Sequence, residues 1–356
     1  MHSSGRRLLL KSAGALALAA AWSPALRAAI DFPAINIPIA DSHSHLGLHD
    51  TGGYKGALKE EMQATGVMLL AWTIVSDSRW IVRTNRGIVQ RATPAPGDQS
   101  RYVRQKLADM KKYLAAHDLA HADKPADIDA ARSGKPQVVI AMEGAGFAED
   151  GLEHIDQFHA AGLRHLQLVH YVRNGMGDFQ TERPEHNGMT PLGVDVIKAC
   201  NRLGILVDLA HATNAVIDRA LEVSSVPVIW SHSEISRTQY TWVQPQSRLL
   251  YIDYAKKIAQ RGGAVGLWSL RSSRMTGLPA YADGLMRMID AVGAEHVMFG
   301  TDLDGVGQNA LMSGLGDLRA VVELLRKHGV DDKTLRAVCF ENYARCLKGA
   351  MEARQG

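Results

Sequence analysis

Short runs of consecutive hydrophobic residues alternate along the chain with stretches in which hydrophobic residues recur every three or four positions. The runs are rich in Val, Ile, Leu and Met and are bounded by Gly, Pro or polar residues, which is typical of strands covered on both faces in a parallel sheet. We predict eight strands, in the runs Ile35–His45, Gly66–Ser76, Pro136–Glu143, His165–Tyr171, Gly204–His211, Val226–His232, Gly262–Ser269 and His296–Asp302.

The periodic stretches between these runs predict helices. The clearest are Gly151–Ala161, Leu192–Leu203, Thr213–Val223, Tyr251–Arg261 and Asp317–His328, with another near Gln99–Ala116. Eight strands with helices between them predict an α/β fold of the TIM type, a (β/α)8 barrel. The alternative is an open doubly wound sheet, but that fold favours a glycine-rich fingerprint after its first strand, and Ser44-His-Leu-Gly47 is not one.

The first 29 residues have the pattern of an export signal. Arg6 and Arg7 precede a short apolar stretch, and small residues follow at Ala28 and Ala29. The paired arginines resemble a twin-arginine signal, and the stretch is short for a membrane span, although an uncleaved anchor is the alternative. We predict a signal over residues 1–29, one catalytic barrel over residues 30–356, an exported location (periplasmic or secreted), and no stable membrane insertion after cleavage.

Composition narrows the function further. The chain has 40 Lys and Arg against 37 Asp and Glu, so its net charge of +3 gives no reason to expect a nucleic acid partner. Its three cysteines are odd in number, which argues against a full disulfide framework, although a Cys339–Cys346 bridge remains open.

Histidines and acids fall at the ends of the predicted strands. In chain order they are His43, His45, Glu143, His170, His211, His232 and Asp302. The carboxyl ends of barrel strands meet at one rim, where barrel enzymes carry out their chemistry. The sequence therefore predicts that these residues line one cavity.

Metal binding is the function that this combination favours. His43 and His45 lie on the same face of a strand because the side-chain period is two, and paired imidazoles suit a divalent cation such as zinc. A carboxylate buried like Glu143 needs a partner, which a cation supplies. Each residue alone also fits an ordinary polar role at a strand end, but chance does not explain all of them together.

The motifs around these residues resemble the membrane dipeptidase (renal dipeptidase-like) family of metal-dependent hydrolases. They run in family order over nearly the whole chain: Asp41-Ser-His-Ser-His45, Glu143-Gly144, Leu168-Val-His170, Asn187-Gly-Met-Thr-Pro-Leu-Gly193, Asn201–His211, Ser231-His-Ser233, Arg261-Gly-Gly263, Gly300-Thr-Asp-Leu-Asp-Gly305 and Glu341-Asn-Tyr-Ala-Arg345. This resemblance implies a binuclear site with two divalent ions, for which zinc is the first expectation.

The resemblance also implies roles for the individual residues. His43 would bind one ion, the histidine pair His211 and His232 the other, and Glu143 would bridge them. His170 would stabilise negative charge on the scissile carbonyl. Asp302 would carry a proton from the attacking water to the leaving amine.

Two features depart from the family pattern. The second ligand on the first strand is usually aspartate, and here it is His45, which adds about one positive charge and puts the exact dipeptidase assignment in doubt. The arginine that would hold the substrate carboxylate comes later than expected after the sixth strand. We favour Arg248 for this role over Arg237, because the segment after Arg248 matches the family.

We therefore predict a metal-dependent dipeptidase with a small amide substrate. One alternative is another amidohydrolase on the same barrel, such as an N-acyl amino acid deacylase or lactonase. A non-catalytic binding barrel is the other, although retention of His170 and Asp302 argues against it. The family resemblance also makes a homodimer possible.

Overall fold

The structure of the chain is a computed structural model that describes residues 37–48, 54–85, 87–242, 244 and 246–354. The predicted export signal, residues 1–29, lies outside the described residues, and so does the predicted domain boundary at residue 30. Within the described ranges, no helix has both the length and the apolar character needed to cross a bilayer.

Eight parallel strands form a barrel and confirm the predicted fold. They are β1 (Ile39–Ser44), β2 (Val67–Val75), β3 (Gln137–Glu143), β4 (Leu163–Gln167), β5 (Leu206–Asp208), β6 (Ile229–Ser233), β7 (Ala264–Leu267) and β8 (Val297–Phe299). Each strand pairs with the next in this order. The turn after β8 closes the ring on β1, where the Asp302 N–H donates to the His43 carbonyl at 2.9 Å and the His45 N–H to the Leu303 carbonyl at 2.8 Å.

Helices surround the barrel. They are α1 (Leu58–Thr65), α2 (Asp98–Ala116), α3 (Pro125–Arg132), α4 (Glu153–Ala160), α5 (Pro191–Leu203), α6 (Asn214–Val223), α7 (Ile252–Gln260), α8 (Leu278–Val292), α9 (Leu315–Lys327), α10 (Asp332–Arg336) and α11 (Asn342–Glu352). Local signals set their ends. For α5, the Thr190 hydroxyl accepts from the Gly193 N–H, Pro191 occupies the first turn, and Gly204 ends the helix in the left-handed conformation.

The observed strands differ from the predicted runs most clearly in β4, β5 and β8. β4 begins at Leu163, two residues before its predicted run, and β4, β5 and β8 all end three residues before the histidine or aspartate predicted to close them. Those three site residues therefore lie in the segments that follow the strands, at the rim. The runs overestimate the strands because residues past the last hydrogen-bonded pair, such as Val169 and Leu209, are still fully buried.

The terminal helix α11 closes the end of the barrel opposite to this rim. It contacts β1, β4, β5, β7 and β8. Its Tyr343 and Leu347 pack with Leu69 and Ala71 of β2, whereas Leu70 belongs to the core under the outer helices. Successive side chains of β2 thus point alternately into the barrel interior and towards the outer helices. Because both faces are buried, nearly every position of the strand is apolar. The three cysteines are buried free thiols, so the Cys339–Cys346 bridge is absent.

Candidate metal centre

The structure brings all seven predicted rim residues into one buried cluster. Their exposed fractions range from 0% for His43 to 9% for Asp302. Glu143, the last residue of β3, lies at the centre. Its Oε1 is 3.3 Å from the His211 Nε2 and 3.7 Å from the His232 Nε2, and its Oε2 is 3.4 Å from the His45 Nε2.

The histidines form two pairs around this carboxylate. The Nε2 atoms of His43 and His45 are 3.1 Å apart, and those of His211 and His232 are 3.2 Å apart. Two ligand atoms bound to one tetrahedral cation at ~2.0–2.2 Å lie roughly 3.3–3.6 Å from each other. The spacing within each pair, and between each pair and Glu143, is close to that of ligands sharing a cation.

Hydrogen bonds on the far side of the rings support the same conclusion. The His45 Nδ1 lies 2.8 Å from the Thr73 carbonyl, which can only accept, so this nitrogen carries the proton. The Nδ1 atoms of His232 and His43 lie 2.8 and 3.3 Å from the Ser231 hydroxyl. In a neutral ring whose Nδ1 carries the proton, the Nε2 lone pair is free, and here it would face the neighbouring Nε2 and the carboxylate, an arrangement that a cation stabilises.

Three of the four paired imidazoles have lowered pKa values. Burial and the neighbouring histidines lower the pKa of His43 well below its usual range, and burial with the nearby Arg248 does the same for His211. Burial lowers the pKa of His232 to about 3. Neutral imidazole is the form that binds metal. The donor set of imidazoles and carboxylates therefore fits a pair of divalent cations.

His45 differs from the other three paired histidines. Burial alone would lower its pKa, but the hydrogen bond to Asp302 and the charge of Glu143 outweigh burial and raise the pKa to about 9. Its Nε2 is 3.3 Å from the Asp302 Oδ1. A proton on this ring supplies positive charge between the carboxylates of Glu143 and Asp302. A bound cation would supply that positive charge in place of the proton.

Two site residues have strained backbones. His211 and Asp302 adopt positive φ angles of 70° and 56°, in the left-handed region that residues with a Cβ rarely occupy. Such strain costs on the order of 1–3 kcal/mol per residue and clusters at functional sites. Gly305 allows the tight turn beyond Asp302, because a Cβ at this position would lie 1.9 Å from the Asp302 Oδ1.

His170 is held by Asp77, which the sequence analysis did not identify. The Asp77 Oδ1 lies 2.6 Å from the His170 Nδ1, and its Oδ2 accepts from the backbone N–H groups of Tyr171 and Val172 at 3.1 and 3.0 Å. Burial lowers the pKa of His170, but Asp77 and Glu143 outweigh burial and raise it. Asp77 lies two residues after the end of β2, so the search for acids and histidines at strand ends could have identified it as well.

Arg248 reaches the same cavity from the loop after β6. Its Nη1 donates to the Tyr171 hydroxyl at 2.6 Å and its Nη2 lies 3.1 Å from the His232 Nε2, while the guanidinium is 5.5 and 5.2 Å from the ring centres of Tyr171 and Trp268. No carboxylate of the described residues forms an ion pair with it, and its Nε has no hydrogen-bond partner there.

The path of the loop after β6 places the two candidate arginines differently. The Ser233 hydroxyl donates to the Arg248 carbonyl at 2.8 Å, and Ile235–Ser236 pairs in parallel with Leu250–Tyr251. This pairing returns Arg248 to the rim. Arg237 lies in the intervening segment and is exposed, so of the two only Arg248 faces the histidine cluster.

A hairpin from the long connection after β2 contacts the rim at two points. It is formed by Ile81–Thr84 and Gly87–Gln90. On one side Arg83 donates to the Gly305 carbonyl at 3.1 Å, and on the other the Gln90 Oε1 accepts from the Arg173 N–H at 3.0 Å. The hairpin thus spans the rim between the segments that carry Asp302 and His170.

Comparison with protein families gives a match over nearly all of the described chain. Residues 38–356 match the family described as membrane dipeptidase (peptidase family M19). The dipeptidase verJ of Clonostachys rogersoniana is 30% identical over 230 residues, which make up 62% of this chain and 57% of that protein. The chain thus spans little more than half the length of the first curated relatives that it matches.

Solved structures support the barrel. A metallopeptidase from Rhodobacter sphaeroides, crystallised with a phosphinate mimic of the dipeptide L-Ala-D-Ala, has a TM-score of 0.71 and 21% identity, and the match covers 88% of this chain and 99% of that one. An amidohydrolase from Pseudomonas aeruginosa has a TM-score of 0.72 and 20% identity, with 93% and 100% covered. At these identities the likeness establishes the fold.

Proposed function

The chain belongs to the membrane dipeptidase family, and we propose on this basis that it hydrolyses the amide bond of dipeptides in a reaction that depends on two divalent cations. His43 and His45 would hold one cation and His211 and His232 the other, with Glu143 between them. When bound, paired cations lower the pKa of a water molecule and polarise a carbonyl group. Imidazole and carboxylate ligands suit zinc, the cation that we propose.

Asp302 is the proposed proton carrier. It lies beside the His43–His45 pair, and its pKa is lowered: burial raises that pKa, but the hydrogen bond from His45 and the charge of Arg248 outweigh burial. Asp302 would accept a proton from the attacking water and deliver it to the leaving amine. Its backbone, anchored to the carbonyl of His43, keeps it at this position.

His170 is the proposed donor to the developing oxyanion. Its Nδ1 is engaged by Asp77 and its Nε2 lies 3.3 Å from the Glu143 Oε2, so the Nε2 faces the centre of the site. A fixed N–H directed at the carbonyl oxygen stabilises charge that develops only in the transition state.

The observation that carries the substrate class is the environment of Arg248. A guanidinium packed between Tyr171 and Trp268, with no carboxylate partner among the described residues, leaves a site for an anion beside the histidine cluster. Guanidinium recognises carboxylates in a bidentate manner. We therefore propose that Arg248 binds the free α-carboxylate of the substrate, as a dipeptide provides, including one with a D-residue at its carboxyl end.

The test compares substrates that differ in this carboxylate. Zinc-loaded protein is assayed against L-Ala-L-Ala, L-Ala-D-Ala, their carboxyl-terminal amides and N-acetyl-alanine. We expect turnover of the dipeptides, at least 10-fold lower kcat/KM for the amides, and loss of this preference in Arg248→Gln. The exposed Arg237→Gln is the matched control and should retain it.

Two outcomes would contradict the proposal. A metal-loaded protein that releases no amino acid from any dipeptide would exclude dipeptidase activity. Faster hydrolysis of N-acetyl-alanine than of any dipeptide would instead favour an N-acyl amino acid deacylase. This class is the leading alternative because His45 replaces the aspartate that is usual in the family.

Location and assembly are also proposals. The twin-arginine-like signal supports an exported protein, because this route carries folded proteins that have already bound their metal. Detection of the mature chain in the periplasm or medium, with loss of export in an Arg6→Lys, Arg7→Lys variant, tests it. We also propose a homodimer from the family resemblance. Measurement of the molecular mass of the protein in solution tests this proposal.

A further inference from the structure

Ser231 lies directly behind the metal-binding face of two histidines that belong to different pairs. It precedes His232 on β6, and its hydroxyl is 2.8 Å from the His232 Nδ1 and 3.3 Å from the His43 Nδ1. The rings of His43 and His232 pack against each other with their centres 4.0 Å apart. One hydroxyl therefore contacts one ligand from each of the two proposed cation sites.

The backbone of Ser231 is held on all sides. Its N–H donates to the Asp208 Oδ1 at 3.0 Å, and its carbonyl accepts from the Ser42 hydroxyl at 3.1 Å. Gly266 and Gly300 of the neighbouring segments approach the same carbonyl so closely that a Cβ on either would lie 1.8 or 1.6 Å from its oxygen. Ser231 is fully buried, so its hydroxyl has little freedom to move away from the two rings.

We propose that Ser231 is a positioning residue shared by the two cation sites, an inference that rests on the proposed two-cation function. A histidine that binds metal through Nε2 carries its proton on Nδ1, and the acceptor of that proton fixes both the tautomer and the ring orientation. A hydroxyl oxygen has two lone pairs. Ser231 can therefore accept from His43 and His232 together and hold one ligand of each cation.

The other two ligand histidines do not share this arrangement. The His45 Nδ1 has its own acceptor, the Thr73 carbonyl, and the His211 Nδ1 has no hydrogen-bond partner among the described residues. Removal of the Ser231 hydroxyl should therefore affect one ligand in each pair and leave the other ligand of each pair unchanged.

Ser231→Ala is expected to weaken both cations together. Without the hydroxyl, each of the two rings can move its proton to Nε2 and lose the lone pair that binds metal. Loss of such a supporting contact typically lowers metal affinity by about 10- to 100-fold. We expect a reduction of this size in both dissociation steps of Ser231→Ala, whereas a residue that supports one ligand would change one step.

The experiment is a zinc titration of the full chain in competition with a chromogenic chelator, which resolves both dissociation constants without any substrate. Ser269→Ala is the matched control, because Ser269 is also fully buried near the rim and its hydroxyl has no partner among the described residues. We expect Ser269→Ala to bind both ions as the wild type does.

A second readout detects the tautomers directly. In cobalt-loaded protein, the Nδ1 protons of ligand histidines give exchangeable, strongly shifted proton NMR signals. Ser231→Ala should lose two of these signals or exchange them with water much faster, while the His45 signal remains. A merely structural serine would leave this pattern intact.

The outcomes separate this inference from the proposed function. Weakening at both steps with loss of two imidazole signals supports it. A change at one step only, or none, overturns it while the dipeptidase proposal stands. A wild-type protein that binds no divalent ion overturns both.

Discussion

Asp77 offers a direct test of how the site is built, because its side chain contacts His170 and neither of the two histidine pairs proposed to bind metal. It is 2% exposed, and its carboxylate accepts hydrogen bonds from the His170 Nδ1 and from the backbone N–H groups of Tyr171 and Val172. We predict that Asp77→Asn lowers kcat without removing the metals. The reason is that the variant no longer holds His170 as a charged donor at the carbonyl oxygen.

The structure gives the size of the effect. A hydrogen bond to a charged group contributes about 1.5–3 kcal/mol, so loss of the Asp77–His170 contact should lower kcat by roughly 10- to 150-fold. Asp77→Ala also leaves two buried backbone N–H groups without an acceptor and should cost about 3–5 kcal/mol of unfolding free energy. Asn is similar in size to Asp and retains one acceptor oxygen, so its stability cost should be smaller.

The assay combines steady-state hydrolysis of L-Ala-L-Ala, metal content and urea unfolding. Ser78→Ala is the control, since its hydroxyl bonds to the Tyr102 hydroxyl at 2.6 Å and not to the site. We expect KM to change little because Asp77 lies behind His170. An Asp77→Asn protein with two bound metals and wild-type kcat would refute the reasoning, because His170 would then need no charged partner.

Three further predictions follow from the same contacts. Tyr171→Phe removes the hydroxyl group to which Arg248 donates, so the KM for L-Ala-L-Ala should rise about 10-fold while the KM for its carboxyl-terminal amide stays the same. Equal changes in KM for both substrates would contradict the role of Arg248 as the carboxylate-binding residue. His45→Asp adds an anion beside two carboxylates, so zinc should raise the Tm of the variant by more than it raises the Tm of the wild type. Thermal scans with and without chelator measure both rises, and an equal rise would show that charge at this position does not govern the affinity for zinc. Without bound metal, the protein should lose stability as pH falls below the usual histidine pKa of ~6.5, because the unfolded chain binds protons that the folded chain excludes. The loss should reach about 1.4 kcal/mol per pH unit for each of the three histidines with lowered pKa values, His43, His211 and His232. Urea unfolding between pH 7 and pH 5 measures this loss.

The acid prediction has an opposing contribution from His45. Its pKa is raised to about 9, so the stability that it contributes is fully present below about pH 6.5 and is lost as pH rises through 9. Without bound metal, the protein should therefore be most stable near neutral pH. This pH lies above the range in which protonation of the three histidines with lowered pKa values destabilises the fold, and below the range in which His45 loses its proton.

The sequence alone determined the architecture and the residues at the rim. Continuous apolar runs separated by helical periodicity predict a barrel of parallel strands, and the structure and the family match confirm it. Parallel strands in a barrel all end at one rim, so a residue after one strand must lie near the residues after the others. Proximity of Glu143 to His211 follows from this rule, without any knowledge of side-chain contacts.

Contacts between loops could not be derived in this way. The Asp77–His170 hydrogen bond joins residues 93 positions apart, and the Arg248–Tyr171 bond spans 77. Periodicity reports which face of an element is buried, whereas these contacts depend on the paths of irregular segments across the rim. The choice of Arg248 over Arg237 likewise depends on a short strand pairing within a loop.

The finest features of the site exist only in the folded chain. The left-handed turns at His211 and Asp302, and the single hydroxyl of Ser231 between two imidazoles, depend on the register of strands that are distant in sequence. Sequence specifies the side chains that reach the rim because strand direction is shared by all of them. Tertiary packing decides their orientation, because a shift of one residue between neighbouring strands would turn each side chain to the opposite face of the sheet.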